Sequence, residues 1–380
     1  MKKITTLLIL VSLVAGLFLL PGCGKKEPDV IKIGAVLCLT GSGAPYGEDA
    51  ERGIRLATDI INEKGGLNGK KIELIIEDDQ TNPRVSASAV SKLINQDRVE
   101  VIIGAITSSS MLADAPIAEN AKVVLISPGA SNPNITSAGD FIFRNWISDA
   151  LEGKAMADYV FNDDGFREVA ILYLNNDYGL GLKQVFRERF EELGGNIVLT
   201  EFYNQDDTDF RTQLSKITKV NPEVIYLPGY YKEMALIVKQ SAEMGIRIPF
   251  RSCVCFEEPA LLDIAKKESE GVIYSSPYYN PNDTNVNTRE FVTKFESAYK
   301  RKPGIFAGHG FDAMNIIVYC INNVDDYSAV SIRDCLYSIK DYPGVSGITT
   351  FDNNGDVIKL VAIKKIENGD FEFIKCINIQ

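Results

Sequence analysis

The chain has 380 residues, 45% of them hydrophobic and 24% charged, with a formal net charge of −11. Acidic and basic residues are interspersed, so there is no basic stripe to follow phosphates, and nucleic acid is excluded as a partner. The length exceeds what one core serves and predicts two domains, while a lone histidine, His309, gives no basis for a histidine-built metal or catalytic site.

The chain opens with Lys2 and Lys3, an uncharged apolar run from Ile4 to Leu20, and then Leu20-Pro21-Gly22-Cys23 before the polar Gly24 to Pro28. A basic start, an apolar run and small residues read as a secretory signal. Cysteine directly after glycine resembles the lipobox of bacterial lipoproteins, although Pro21 stands where alanine or serine is usual. That resemblance implies lipidation at Cys23, with residues 1–23 as signal and anchor. The competing reading, an uncleaved anchor helix, is at the lower length limit for a membrane span. Both readings place the rest of the chain outside the cytoplasm, in the cell envelope. There, disulfides are permitted among Cys38, Cys253, Cys255, Cys320, Cys335 and Cys376, with buried thiols or one disulfide expected.

Beyond the signal, strand and helix patterns alternate. Ile31–Leu39 reads as a strand, followed by the glycine-rich Thr40 to Gly47 and a helix carrying Ala50, Ile54, Ala57 and Ile61 on one face. Strands follow at Ile72–Ile76, Val99–Ile103 and Val123–Ile126, with a helix opened by Pro83 between the first two. At 143–149 the pattern loses its period, then restarts. Strands are predicted at Val169–Leu174, Ile197–Phe202, Val224–Leu227 and Val272–Tyr274. Helices fall between them at Gly179–Leu193, Phe210–Val220 and Lys232–Met244. Such alternation predicts parallel sheets in two doubly wound α/β domains. Asn353-Asn354-Gly355 reads as a hairpin turn.

In open α/β sheets ligands bind beyond the carboxyl ends of the strands. After Val99–Ile103 comes Gly104-Ala105-Ile106-Thr107-Ser108-Ser109-Ser110, a hydroxyl-rich helix start able to hold an anion without a cationic side chain. After the next strand comes Ser127-Pro128-Gly129-Ala130-Ser131-Asn132-Pro133, where Gly129 lets a ligand approach the backbone. Tyr46, Tyr178 and Tyr230 each follow a predicted strand and can wall a small-molecule pocket.

Gly41-Ser42 with Tyr46-Gly47, Ile61-Asn62 with Gly65-Gly66, Asp78-Asp79, Gly104 with Ser108-Ser109-Ser110, Ile126 to Pro133, Asp177-Tyr178-Gly179 and Gly229-Tyr230-Tyr231 occur in one order along the chain. In that order and spacing the sequence resembles the periplasmic leucine/isoleucine/valine-binding proteins over essentially its whole length after the signal. The resemblance implies a type I periplasmic binding fold: two three-layer αβα domains joined by three crossovers, closing on a ligand delivered to an ABC permease. It implies residues 30–148 plus 278–358 for domain one and 149–277 plus 359–380 for domain two. Ser108 and Ser131 would hold the ligand carboxylate and ammonium, and Gly129 would give a backbone contact. Tyr178 and Tyr230 would close from the second domain, while Tyr46 and Phe306 would line the side-chain pocket. Asp149 matches an acidic position that binds the amino group in some amino-acid-sensing relatives. The glutamate that pairs with ligand ammonium in leucine-binding members falls on Val254, so Asp149, Glu257 or Glu258 must replace it. Otherwise the ligand is a small aromatic or aliphatic acid without an amino group. The disulfide of those members falls on Thr81 and Thr107 and is absent.

Other function classes fit less well. The glycines at 41, 43 and 47 do not have dinucleotide-binding spacing, and no nucleophile elbow accompanies His309. A monomeric, non-enzymatic receptor without cofactor or metal is expected, its lipid anchor favouring transport over a sensor feeding a signalling partner.

Overall fold

Residues 30–377 are described by a computed structural model; the predicted signal and Cys23 lie outside them. The first lobe is built on β1 (Val30–Leu37), β2 (Lys71–Asp78), β3 (Val101–Gly104), β4 (Val124–Ser127) and β5 (Ile142–Arg144), in the spatial order β2-β1-β3-β4-β5. Their pairing is parallel from β1 through β5, with Ala35 opposite Ile103 and Ile126 opposite Phe143. Every residue of β3 and β4 is buried, as expected for short strands covered on both faces by helices.

The second lobe carries β6 (Glu168–Leu174), β7 (Asn196–Tyr203), β8 (Val224–Leu227), β9 (Phe250–Ser252) and β10 (Ile273–Pro277), all parallel. After the short pair β11 (Tyr342–Gly344) and β12 (Gly347–Thr349), the chain adds β13 (Val361–Glu367) and β14 (Asp370–Ile377). The sheet order is β14-β13-β10-β9-β8-β6-β7, with β13 and β14 antiparallel to their neighbours. Strand–helix alternation predicts parallel pairing throughout, and this sheet is instead mixed. The chain re-enters the sheet along β13 antiparallel to β10, and Asn368 and Gly369, at positive φ of 55° and 75°, turn it straight back into β14. The Asn353–Gly355 turn, by contrast, closes only a single bridge between Phe351 and Val357.

The chain passes between the sheets three times. It leaves the first after β5 and enters the helix Asp149–Asp158, which packs on the helix Asp177–Glu192. After β10 it returns ahead of the helix Val286–Tyr299 and runs on into the helix Ile305–Asn322, both packed on the helix Ala44–Glu63. It crosses again before β13. Arg144 fixes two of these passages. Its Nε and Nη2 donate to Asp356 at 2.6 Å each, and its Nη1 donates to the Ser131 and Asn132 carbonyls at 3.0 Å. Cys320 and Cys335 form a disulfide between two first-lobe helices, while Cys38, Cys253 and Cys255 are buried thiols.

Candidate functional site

The site begins where β3 and β4 end. Gly104 has φ +139°, and a Cβ there would lie 2.1 Å from the Val36 carbonyl oxygen, so only glycine lets the chain leave β3 on this path. The helix Ser108–Ala121 then starts after Thr107 with no side chain capping its first turn. That leaves amide N–H groups and the positive helix end for an anion. The Ser108 hydroxyl reaches the neighbouring loop, accepting from the amides of Ser131 at 3.3 Å and Asn132 at 3.2 Å. In that loop Ser127 Oγ accepts from Ala130 N at 2.8 Å and donates to the Ala105 carbonyl at 2.6 Å. The two loops are thus tied into one hydroxyl-rich surface.

The second lobe closes over this surface. A small cavity is lined by Tyr46, Ile106, Thr107, Ser108, Gly129, Ser131, Trp146, Tyr178, Tyr230, Val254, Cys255 and Phe306. Seven of the eight residues nominated from sequence (Tyr46, Ser108, Gly129, Ser131, Tyr178, Tyr230 and Phe306) therefore face one space. Their aromatic rings run in succession: Tyr178 to Tyr230 at 5.9 Å, Tyr230 to Tyr46 at 6.1 Å, Tyr46 to Phe306 at 5.0 Å, and Phe306 to Trp146 at 4.8 Å. One end of the cavity is polar and donor-rich, the other a wall of rings.

Two latches hold the lobes together. Tyr46 Oη accepts from Tyr231 N at 2.9 Å and donates to the Cys255 carbonyl at 3.2 Å. Ser109 Oγ donates to Asp177 Oδ2 at 2.5 Å, and Asn132 Nδ2 donates to the Asp177 carbonyl at 2.6 Å. Removing the Tyr46 hydroxyl costs about 0.5–1.5 kcal/mol for each bond lost. Tyr46→Phe is therefore expected to weaken ligand binding roughly 5- to 150-fold through less favourable closure. Titration calorimetry checks this, and an unchanged affinity contradicts the latch.

Asp149, the eighth nominated residue, does not line the cavity. It begins the helix Asp149–Asp158, fully buried, and its amide donates to the Ser131 carbonyl at 2.8 Å. Neither carboxylate oxygen makes a hydrogen bond of normal geometry among the described residues. Burial pushes its pKa up, with the Ser131 hydroxyl and the Arg144 guanidinium pulling the other way. One turn on, Glu152 is also fully buried and raised by burial; its Oε1 accepts from Val254 N at 3.0 Å and Ser275 Oγ at 3.1 Å. Val254 itself stands in the cavity wall. The other two candidate acids are engaged elsewhere. Glu257 pairs with Lys364 at 2.6 Å, and Glu258 accepts from Ala260 N at 3.3 Å at the start of the helix Pro259–Ala265. Of these acids, Asp149 is the one with neither carboxylate oxygen in a hydrogen bond of normal geometry among the described residues.

Sequence reasoning passes over Trp146 and Cys255. Trp146 sits in the aperiodic stretch after β5, where only its size marks it. Cys255 lies two residues from Cys253, a spacing that draws attention to thiol chemistry rather than to cavity lining. Among the described residues no cluster of three or more histidine, cysteine or acidic side chains could hold a metal, and no helix is long and apolar enough to cross a membrane.

The leucine-binding protein LivK of Thermotoga maritima superposes with a TM-score of 0.87 at 31% identity, over 92% of this chain and 99% of that one. LivJ of Streptococcus pneumoniae, determined with isoleucine, gives a TM-score of 0.84 at 29% identity, over 91% and 99%. The leucine-, isoleucine-, valine-, threonine- and alanine-binding protein of Pseudomonas aeruginosa is 27% identical over 330 residues, 87% of each chain. The family model described as periplasmic binding protein matches residues 30–370, and the chain belongs to that family.

Proposed function

We propose that this protein is the exported solute receptor of an ABC transporter and that it closes on an amino acid with a small or branched aliphatic side chain. The observation that carries the reading is the pairing of one cavity's two ends with one buried acid whose oxygens make no hydrogen bond of normal geometry among the described residues. The hydroxyl and amide surface of Ser108 and Ser131 suits a carboxylate, the ring wall suits an apolar side chain, and Asp149 behind Ser131 suits an ammonium group. A buried ammonium needs an anionic partner, and in this arrangement Asp149 takes the place that Val254 leaves empty of charge. Gly129 offers its backbone, while Tyr178 and Tyr230 close from the second lobe. Cys23 tethers the receptor to the membrane by lipid, and it works as a monomer that presents its closed form to the permease.

A second reading rests on Val254. With an aliphatic residue facing the cavity, a carboxylate lacking the amino group would leave Asp149 protonated and need no counter-ion. Both readings use the Ser108 hydroxyl, whose loss is expected to cost about 1–3 kcal/mol where a charged partner loses its donor. Ser108→Ala should weaken binding of whichever ligand class the wild type takes, by calorimetry. Wild-type affinity in this variant would overturn the carboxylate assignment.

A further inference from the structure

We infer that Trp146 sets the length of the solute's side chain, admitting a short aliphatic group such as that of valine and excluding an aromatic one. This rests on the receptor reading above and specifies its substrate class.

Trp146 lies in the passage between β5 and the helix Asp149–Asp158 and is 1% exposed. The indole stacks on Phe306, with centroids 4.8 Å apart and planes 15° apart, and its ring centroid lies 4.5 Å from that of His309, tilted by 54°. His309 is itself held, its Nδ1 2.9 Å from the Ile305 carbonyl and its own carbonyl accepting from Asn145 Nδ2 at 2.9 Å. The buried indole is thus packed against both rings beside the cavity it lines. Gly129, in the same wall, is tightly enclosed: a Cβ would stand 3.0 Å from the Ile106 carbonyl oxygen and 3.3 Å from Phe306, so either neighbour would have to give by a few tenths of an ångström. Phe306 is therefore fixed between Gly129, Trp146 and Tyr46. A ligand held by its carboxylate at Ser108 must direct its side chain toward these rings. With centroids 4.8–5.0 Å apart, Trp146, Phe306 and Tyr46 leave no space between the rings themselves, so a side chain ends against them. Close-packed interiors do not yield by a methylene without cost.

The residue acts by occupying volume, so replacing it should change rank order among ligands and not merely affinity. One methylene in an apolar pocket is worth about 10- to 200-fold in discrimination. The test measures dissociation constants for alanine, valine, leucine and phenylalanine on the refolded wild type, on Trp146→Leu, and on the milder Trp146→Phe. The deaminated acids of the same four side chains are run alongside. In the wild type valine should bind more tightly than leucine, and phenylalanine should give no heat. In Trp146→Leu the leucine-to-valine and phenylalanine-to-valine affinity ratios should rise at least about tenfold, with Trp146→Phe in the same direction and smaller. Ratios cancel any general loss of stability. Unchanged ratios in either folded variant, or phenylalanine bound by the wild type as well as valine, would overturn the assignment. If only the deaminated acids bind, the amino-acid reading fails, and the same ratios within that series still decide the role of Trp146.

Discussion

Asp149→Asn is expected to abolish most of the affinity for amino acids while leaving their deaminated counterparts nearly untouched. The side chain is fully buried and without a hydrogen bond of normal geometry among the described residues. Its energetic value therefore depends on what the ligand brings. An ammonium buried without its carboxylate costs about 3–5 kcal/mol, the penalty for breaking a buried ion pair from one side, and this corresponds to roughly a 150- to 5,000-fold loss. Asparagine keeps the volume and can still face the Ser131 hydroxyl, so the lobes should close as before on a plain carboxylate. Calorimetry on both ligand series checks this; equal losses in the two would remove Asp149 from the role of ammonium partner.

The same residue gives a pH dependence whose sign is fixed. Burial raises the Asp149 pKa in the free protein, and a bound ammonium would lower it, so binding releases a proton. By linkage, affinity for an amino acid should climb as pH rises from the ordinary carboxylate range toward the raised pKa, then level off. The stability of the ligand-free protein moves oppositely: a carboxyl raised by burial disfavours the folded state as pH rises above its unfolded value. A deaminated acid should show no such climb.

Arg144→Ala should be the most destabilising single substitution near the cleft. The guanidinium is completely buried, paired through both Nε and Nη2 with Asp356, and it supports the carbonyls of Ser131 and Asn132. Removing it leaves a partly buried carboxylate without its cation and takes one of two donors from each carbonyl, a loss of about 3–5 kcal/mol. At roughly 2 °C per kcal/mol for a chain of this size, the melting temperature should fall by at least about 6 °C. Ligand affinity should fall with it, because the Ser131 loop and the third crossover lose their common anchor. A variant that melts like the wild type would mean the pair is dispensable.

Much of the fold was legible because parallel α/β architecture writes itself locally, as short apolar strands bounded by glycine or serine and then a helix. Ser108, Gly129, Ser131, Tyr46, Tyr178 and Tyr230 were placed beside one space for a related reason, since loops that follow parallel strands converge at the sheet's carboxyl edge, whereas Phe306 came only through the family resemblance. What escaped was non-local. Arg144 and Asp356 are 212 residues apart, and no period joins them. The pairing of Cys320 with Cys335 has no mark in the sequence that separates it from other pairings. Trp146 fell where the pattern fails, and an aperiodic stretch that signals a crossover says nothing of which side chain turns into the cleft. The antiparallel β13–β14 hairpin also went unread, although Asn368-Gly369 is a turn signal as strong as the one at 353–355, which closes only a single bridge.

The central claim is that this cleft binds an α-amino acid through a carboxylate site and the Asp149 charge. It is tested most directly by titrating refolded wild-type protein with valine and with 3-methylbutanoate, its deaminated counterpart, and following both heat and melting temperature. Valine at about a hundred times its Kd should add roughly 2.7 kcal/mol of stability, with 3-methylbutanoate giving neither heat nor shift. Binding of 3-methylbutanoate without valine would contradict the account and make Val254, not Asp149, the residue that defines the ligand.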